Sequence, residues 1–390
     1  MRVAVVGGFA ASLVAFRGEM LRSMVAKGHE VLALAPENDA RVRAALDAMG
    51  VAYATIPLQR TGMNPLRDVT TVLSLARVYR KFRADAVLVY TAKPVVYGLI
   101  AARLAGVRLR AAMITGAGSA LAGGSGLRQR ALSSLLRNLY RVALGQAHVV
   151  FFQNPDDERL FRSMGLVGDG QRVVRINGSG VDLERFSPAS MPAGPITFLM
   201  IGRLIRDKGV GEYVEAARRV RSAHPEVRIQ LLGPLDSNPS AISLREVAAW
   251  RDEGAVEYLG TTSDVRPFLA SAHVFVLPSY GEGMPRSTLE AMAMGRAVLT
   301  TDVPGCRETV QGERNGLLVP ARDAGALAEG MLRLLAEPER LEPMGQQSRT
   351  IAEERFDVHS VNQSILAAMG LDQTLADSGT QRSERKWTRR

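Results

Sequence analysis

Short apolar runs alternate with longer stretches of helical period, and the whole alternation occurs twice along the chain. In the first half the strand-like runs are 2–6, 30–35, 86–90, 111–115 and 149–153. Helical periods lie at 14–27, 66–82, 94–104 and 127–144. A strand that is apolar throughout needs cover on both faces, and parallel neighbours need a crossover long enough to hold a helix. The pattern therefore predicts a parallel sheet clothed by helices. After Ser187-Pro188 and Met191-Pro192-Ala193-Gly194-Pro195 it restarts, with strands at 196–201, 228–232, 256–259, 274–277 and 297–301 and a helix from Gly209. The expected fold is α/β, two doubly wound, Rossmann-like domains facing each other across a cleft, with ligands beyond the carboxyl ends of the strands. The boundaries read as a first domain over 1–186, a Pro/Gly-rich linker over 187–195, a second domain over 196–371 and a disordered basic tail over 372–390.

Charge separates the halves. The chain carries 49 Lys+Arg against 39 Asp+Glu, a net +10. Residues 1–190 hold 25 of the cations and 13 of the acids, so the whole excess lies there. No acid occurs between Asp85 and Asp156. Such a balance suits nucleic acid, an anionic membrane surface or a phosphorylated substrate. The basic stretch lacks interleaved aromatics and any nucleic-acid motif, which makes nucleic acid the weakest partner. No window reaches the ~18 apolar residues of a spanning helix, and MRVAVVGG reads as a first strand, not a signal peptide. The single cysteine, Cys306, excludes a disulfide scaffold. On a helical wheel Arg130, Arg137 and Arg141 fall within about 40° of one another. Ala131, Leu132, Leu135, Leu136, Leu139, Val142 and Ala143 lie opposite. That arginine face is a candidate for anionic lipid headgroups, with an ordinary solvated face as the alternative.

Three segments carry chemistry. Gly7-Gly8 ends the first strand, where glycine lets a backbone N–H approach a phosphate or sugar; a tight turn is the other reading. The full G-x-G-x-x-G of a dinucleotide site is absent. Gly202-Arg203…Lys208-Gly209 ends the second domain's first strand and opens a helix. A forked guanidinium, a point-charge ammonium and a helix start suit a diphosphate. The third segment runs from Tyr280 to Gly295 and holds Glu282, Gly283, Met284, Pro285 and Glu290. Pro285 suits a first helical turn, which puts Glu282 in the preceding loop and Glu290 in the second turn. Two ionised carboxylates can hold sugar hydroxyls; a dipole partner for Glu282 and a salt bridge for Glu290 are the alternatives.

The E-x7-E element Glu282…Glu290, the Gly202-Arg203…Lys208-Gly209 element, Gly178-Ser179-Gly180-Val181-Asp182 and Gly305-Cys306-Arg307-Glu308 together resemble retaining glycosyltransferases of family 4, with the GT-B fold. Phe16-Arg17, Ile114-Thr115-Gly116-Ala117-Gly118-Ser119, Asn238-Pro239-Ser240 and Leu277–Gly283 resemble a bacterial subgroup that extends undecaprenyl-diphosphate-linked saccharides, often with N-acetylgalactosamine. Ala117 and Met284 depart from that subgroup's pattern. The resemblance implies that Arg203 and Lys208 hold the donor diphosphate and that Glu290 meets the ribose. It implies that Glu282 lies near the donor sugar, with Gly283, Met284 and Pro285 around it and Gly7 and Gly8 across the cleft. Arg17, Arg130, Arg137 and Arg141 become candidates for the acceptor or the membrane.

The implied reaction moves an N-acetylhexosamine or hexose from a nucleotide sugar, uridine by resemblance, to a lipid-diphosphate-linked saccharide, on the cytoplasmic face of the bacterial plasma membrane. No D-x-D triplet occurs, and the five histidines are scattered, so neither a metal site nor a cofactor is expected. A transferase acting on a soluble acceptor, a sugar-nucleotide 2-epimerase and a non-catalytic nucleotide-sugar binding protein remain as other readings.

Overall fold

A computed structural model describes residues 1–59, 64–117, 126–236 and 240–373. Two sheets organise it, both wholly parallel. The first has β1 (Arg2–Val6), β2 (Glu30–Ala35), β3 (Ala52–Thr55), β4 (Ala86–Tyr90), β5 (Leu109–Ile114), β6 (Val149–Phe152) and β7 (Arg172–Arg175), in the order β3-β2-β1-β4-β5-β6-β7. The second has β8 (Thr197–Ile201), β9 (Arg228–Leu232), β10 (Glu257–Tyr258), β11 (Val274–Leu277), β12 (Ala297–Thr301) and β13 (Gly316–Val319), in the order β10-β9-β8-β11-β12-β13. Successive side chains of a strand point to opposite faces. Ala4 and Val6 of β1 accordingly enter one hydrophobic core, and Val3 and Val5 enter another. In both sheets the order of strand addition reverses beside the first strand, between β1 and β4 and between β8 and β11. The two-domain, doubly wound α/β architecture expected from the alternation is the one observed.

Three strands escape the sequence pattern. β3 and β7 are edge strands of four residues each, paired with a neighbour on one side only, and their apolar runs are broken by exposed Ala52, Thr55, Arg172 and Arg175. β13 is equally short and exposes Leu318. The helical period expected over 14–27 is split into Ala11–Ala15 and Gly18–Ala26. Arg17 leaves helical geometry at φ −125°, ψ −2°, and its side chain is buried in place of following the helix surface.

The chain crosses between the sheets twice, side by side. Val181 N donates to Phe356 O at 2.7 Å, and Val358 N donates to Val181 O at 3.0 Å. Gly180 permits this crossing, because a Cβ there would lie 2.6 Å from Val358 Cα. The segment read as a linker packs on the second sheet's layer, where Arg296 Nη2 donates to Ser190 O at 3.0 Å. The last helix, Val358–Ala368, falls in the segment assigned to the second domain. Its Val361, Ile365 and Leu366 nevertheless join the first domain's core, against Gly18–Ala26. An amphipathic period states that a helix has an apolar face, but not which neighbour covers it.

The basic helix, Leu127–Leu144, is rotated from its expected setting. Leu135 and Val142 point outward, whereas Ser133, Tyr140, Ala143 and Leu144 are buried. Arg130 is exposed and Arg137 is half-buried. Arg141 donates to Met164 O and Gly165 O, both at 3.2 Å, and to Asn138 Oδ1 at 2.7 Å. Arg141 stays exposed as Arg130 does, so two of the three arginines face outward and Arg137 does so only in part. Gly118-Ser119, Asn238-Pro239 and the tail beyond residue 373 lie outside the described residues. Among the described residues no helix is long and apolar enough to cross a membrane.

Candidate active site

The two reversal points face each other across a cleft of about 690 Å³. The first domain contributes Phe9, Phe16, Arg17, Tyr90, Thr91, Thr115 and Gln153. The second contributes Gly202, Arg203, Lys208, Glu282, Gly283, Met284, Pro285, Arg286 and Glu290.

The second wall is built by close backbone approach. After β8 the chain enters a single 3-10 turn, Arg206–Lys208, which Gly209 ends at φ +72°. A Cβ on Gly209 would collide with the Pro278 carbonyl oxygen, so only glycine lets this turn press on the end of β11. Tyr280 N then donates to Asp207 O at 2.9 Å. This seating brings Lys208 Nζ onto Glu282 Oε1 in a largely buried ion pair. Ser279 Oγ lies 2.7 Å from the same carboxylate oxygen and 3.1 Å from Asp207 O, and can donate to either. Arg203 reaches the rim, where Nη1 donates to Asp236 Oδ2 at 2.8 Å and the side chain stays 44% exposed.

Glu290 sits in the second turn of Arg286–Ala293, as expected, and accepts from Arg286 Nε at 2.8 Å. The Arg286 guanidinium in turn lies over the Phe16 ring at 5.3 Å. Burial pushes the Glu290 carboxyl above its ordinary pKa, and Arg286 offsets only part of that. A raised carboxylate pKa means that the folded protein holds the proton longer than the unfolded chain. Glu290 therefore removes stability as pH rises from the unfolded pKa through the folded one. Glu290→Gln should melt at a higher temperature than wild type at pH 7.5, with the gap closing below the ordinary Glu range. Thermal melts across pH check this, and an unchanged or lower melting temperature at pH 7.5 would refute it.

On the first wall, Gly7 and Gly8 pack on the end of β4. A Cβ on Gly7 would strike the Tyr90 hydroxyl, and one on Gly8 would lie 2.5 Å from Thr91 Oγ1. It is Phe9 that lines the cleft beyond them. Arg17 is 2% exposed, which takes it off the outer surface and into the cleft. Arg130, Arg137 and Arg141 do not line it. Met284 packs on the domain crossing, where a Cβ on Gly178 would lie 2.6 Å from Met284 Cγ. Cys306 is buried, and its thiol is pushed up to about 12, so it is not a nucleophile.

Sequence reasoning missed the clamp between the domains. Asn154 Nδ2 donates to Gly283 O at 2.8 Å and lies 3.3 Å from Glu282 O. It is also 2.8 Å from Asp157 Oδ2, while Ala117 N donates to Asp157 Oδ1 at 3.3 Å. Arg307 Nη1 meets Asp156 Oδ2 at 2.7 Å. Asn154-Pro155 has the signature of a helix start, and Asn154 does cap Pro155–Ser163. Nothing local announces a reach of 129 residues to the glutamate loop. His148 Nδ1 accepts from Arg110 N and His273 Nδ1 from Thr197 N, both at 3.1 Å, so both rings are structural. Among the described residues no three His, Cys, Asp or Glu side chains gather as a metal site.

Two family models match the chain. "Glycosyl transferase 4-like domain" covers residues 14–178, and "Glycosyl transferases group 1" covers residues 195–337. The chain is 29% identical over 355 residues to the N,N'-diacetylbacillosaminyl-diphospho-undecaprenol alpha-1,3-N-acetylgalactosaminyltransferase of Campylobacter jejuni, covering 87% of this chain and 91% of that one. It is 24% identical over 293 residues to the UDP-Gal:alpha-D-GlcNAc-diphosphoundecaprenol alpha-1,3-galactosyltransferase of Escherichia coli, covering 72% and 73%. The crystal structure of Anabaena Alr3699/HepE in complex with UDP-glucose superposes with a TM-score of 0.74 at 19% identity, covering 95% of this chain and 99% of that one. With a glycosyl transferase 4-like domain and a glycosyl transferases group 1 domain closing one cleft between two doubly wound sheets, the chain is a glycosyltransferase of the GT-B fold.

Proposed function

We propose that the protein moves an N-acetylhexosamine or a hexose from a UDP-sugar onto a saccharide carried by undecaprenyl diphosphate, with retention and without a metal, in the assembly of a bacterial surface glycan. The observation that carries this reading is the Lys208–Glu282 pair beside Arg203 and Glu290, on the wall where a nucleotide sugar would lie. The departing nucleoside diphosphate gains negative charge as the glycosidic bond breaks. Lys208 and Arg203 supply preorganised positive charge at that place. Glu290 has acceptor capacity for ribose hydroxyls, and Glu282 for those of the transferred sugar. Glu282 is held by Lys208 and Ser279 as a hydrogen-bond acceptor. This suits a front-face pathway, in which the leaving phosphate takes the acceptor's proton and no enzyme nucleophile is needed. Two of the transferases similar to this chain are named for alpha-linked transfer to diphospho-undecaprenol saccharides, and one of these is named for UDP-Gal.

The reading includes attachment of the first domain to the inner face of the plasma membrane. The cationic excess of residues 1–190 supports it, as do the outward Leu66, Val69 and Leu73 of helix Pro65–Phe82. One preparation tests the whole. Purified protein is incubated with a panel of UDP-sugars and membrane extract, products are identified by mass and anomeric configuration by NMR, and a parallel sample contains EDTA. A new alpha-linked hexose or N-acetylhexosamine on the lipid-linked saccharide, with activity kept in EDTA and flotation with anionic vesicles, is expected. Transfer only to soluble sugars, an inverted product, strict loss in EDTA or failure to float would each remove its part of the reading.

A further inference from the structure

Arg17 is a buried cation without an acid partner among the described residues. Its Nη1 donates to Ser179 Oγ at 3.0 Å, its guanidinium lies 4.9 Å from the Tyr90 ring centre, and its Nε has no hydrogen-bond partner. Among the described residues no carboxylate pairs with it. The nearby Arg286 is already matched to Glu290. Burial lowers the Arg17 pKa to about 10, which still leaves it charged at neutral pH. A buried charge is costly unless something neutralises it, and Arg17 faces the cleft.

The next feature on that wall points the same way. Thr91 directly follows Tyr90 and sits at φ 68°, ψ 155°, a conformation that glycine alone adopts easily. Its buried hydroxyl has no partner. It begins the 13-residue helix Ala92–Leu104 and leaves that helix without a side-chain cap. Pro94 has no N–H and Val95 N already donates to Thr91 O at 3.0 Å, so the N–H groups of Ala92 and Lys93, with the helix dipole behind them, are the ones that favour an anion. Gly8 lies against Thr91 Oγ1, so the β1 loop closes the same place.

We propose that Arg17, Thr91 and the N-terminus of helix Ala92–Leu104 form a phosphate site on the first-domain wall that holds the diphosphate of the lipid-linked acceptor. This rests on the transferase reading above. The donor's phosphate is the other possible source, but Lys208 and Arg203 already stand on the opposite wall. The neighbouring surface favours a lipid. Lys93 Nζ lies 3.6 Å from Asp68 Oδ1 and ties the helix start to Pro65–Phe82. There Leu66, Val69 and Leu73 follow one another at helical spacing with 83%, 57% and 46% exposure. A diphosphate head beside an apolar row matches a molecule with a charged head and a hydrocarbon tail.

The test is calorimetric titration of the full-length protein with two probes, farnesyl diphosphate and UDP. Arg17→Gln should weaken farnesyl diphosphate at least tenfold and change UDP by less than twofold, and Arg17→Lys should recover most of the loss. Wild type that binds UDP but not farnesyl diphosphate, or Arg17→Gln that binds farnesyl diphosphate like wild type, overturns the site. Loss of UDP binding equal to or larger than the loss of farnesyl diphosphate assigns the charge to the donor and also overturns it. If Arg17→Gln does not fold, Thr91→Val replaces it with the same selective loss expected. A wild type that binds no UDP refutes the transferase reading itself, which separates the two failures.

Discussion

Replacing Lys208 with alanine should lower kcat about 100- to 1000-fold, the usual cost of removing one preorganised group from developing negative charge. Two effects combine here. The departing diphosphate loses a cation, and Glu282 loses the partner that holds it in a largely buried position. A double-mutant cycle with Glu282→Gln separates them. If the two side chains act as one unit, the double variant should be little worse than Lys208→Ala alone. UDP binding should weaken as well, because Lys208 faces the cleft. Wild-type turnover in Lys208→Ala would remove the donor-site assignment. A melting temperature that falls in step with activity would recast Lys208 as structural.

A single methyl group on Gly283 should be nearly as damaging. A Cβ at this position would lie 2.5 Å from Gln153 Oε1 and 2.5 Å from both atoms of the Thr115 carbonyl. Gln153 can swing away, but the Thr115 backbone at the end of β5 cannot. The loop that carries Glu282 must therefore lift off the first domain and break the Asn154 hydrogen bond to Gly283 O. A shift of about 1 Å at a reacting centre is enough for roughly a 100-fold loss. Gly281→Ala is the control, since a Cβ there meets nothing within 4 Å. Gly283→Ala should lose about two orders of magnitude in kcat while Gly281→Ala stays near wild type. Equal activities would show that contact between the walls does not position the loop.

Much of the architecture was legible because it is local. Continuous apolar strands such as AVLVY in β4 and VFVL in β11 announce burial on both faces. The E-x7-E spacing places one glutamate before a helix start and the other in its second turn, and both are found there. Edge strands were less legible, because a short strand paired along one edge only exposes its ends and leaves just two apolar residues, as RVVR in β7 does. The break at Arg17 was hidden for a related reason. A helical period runs through it, and only the backbone turn reveals that its side chain points into the cleft.

The amino-acid order alone determined two doubly wound layers, the placing of glycines and cations at strand ends, and the side of the molecule that carries the excess charge. These depend on periods of two to four residues and on composition, which any short window contains. The tertiary structure alone decided that Lys208 meets Glu282 across 74 positions and that Asn154 grips the glutamate loop across 129. It also decided that Arg17 has no acid partner among the described residues and that the last helix returns to cover the first domain. Such pairings follow from the order of strands in each sheet and the angle at which two sheets meet. No local pattern encodes them, because partners so far apart in the chain are chosen by the packing of everything between them.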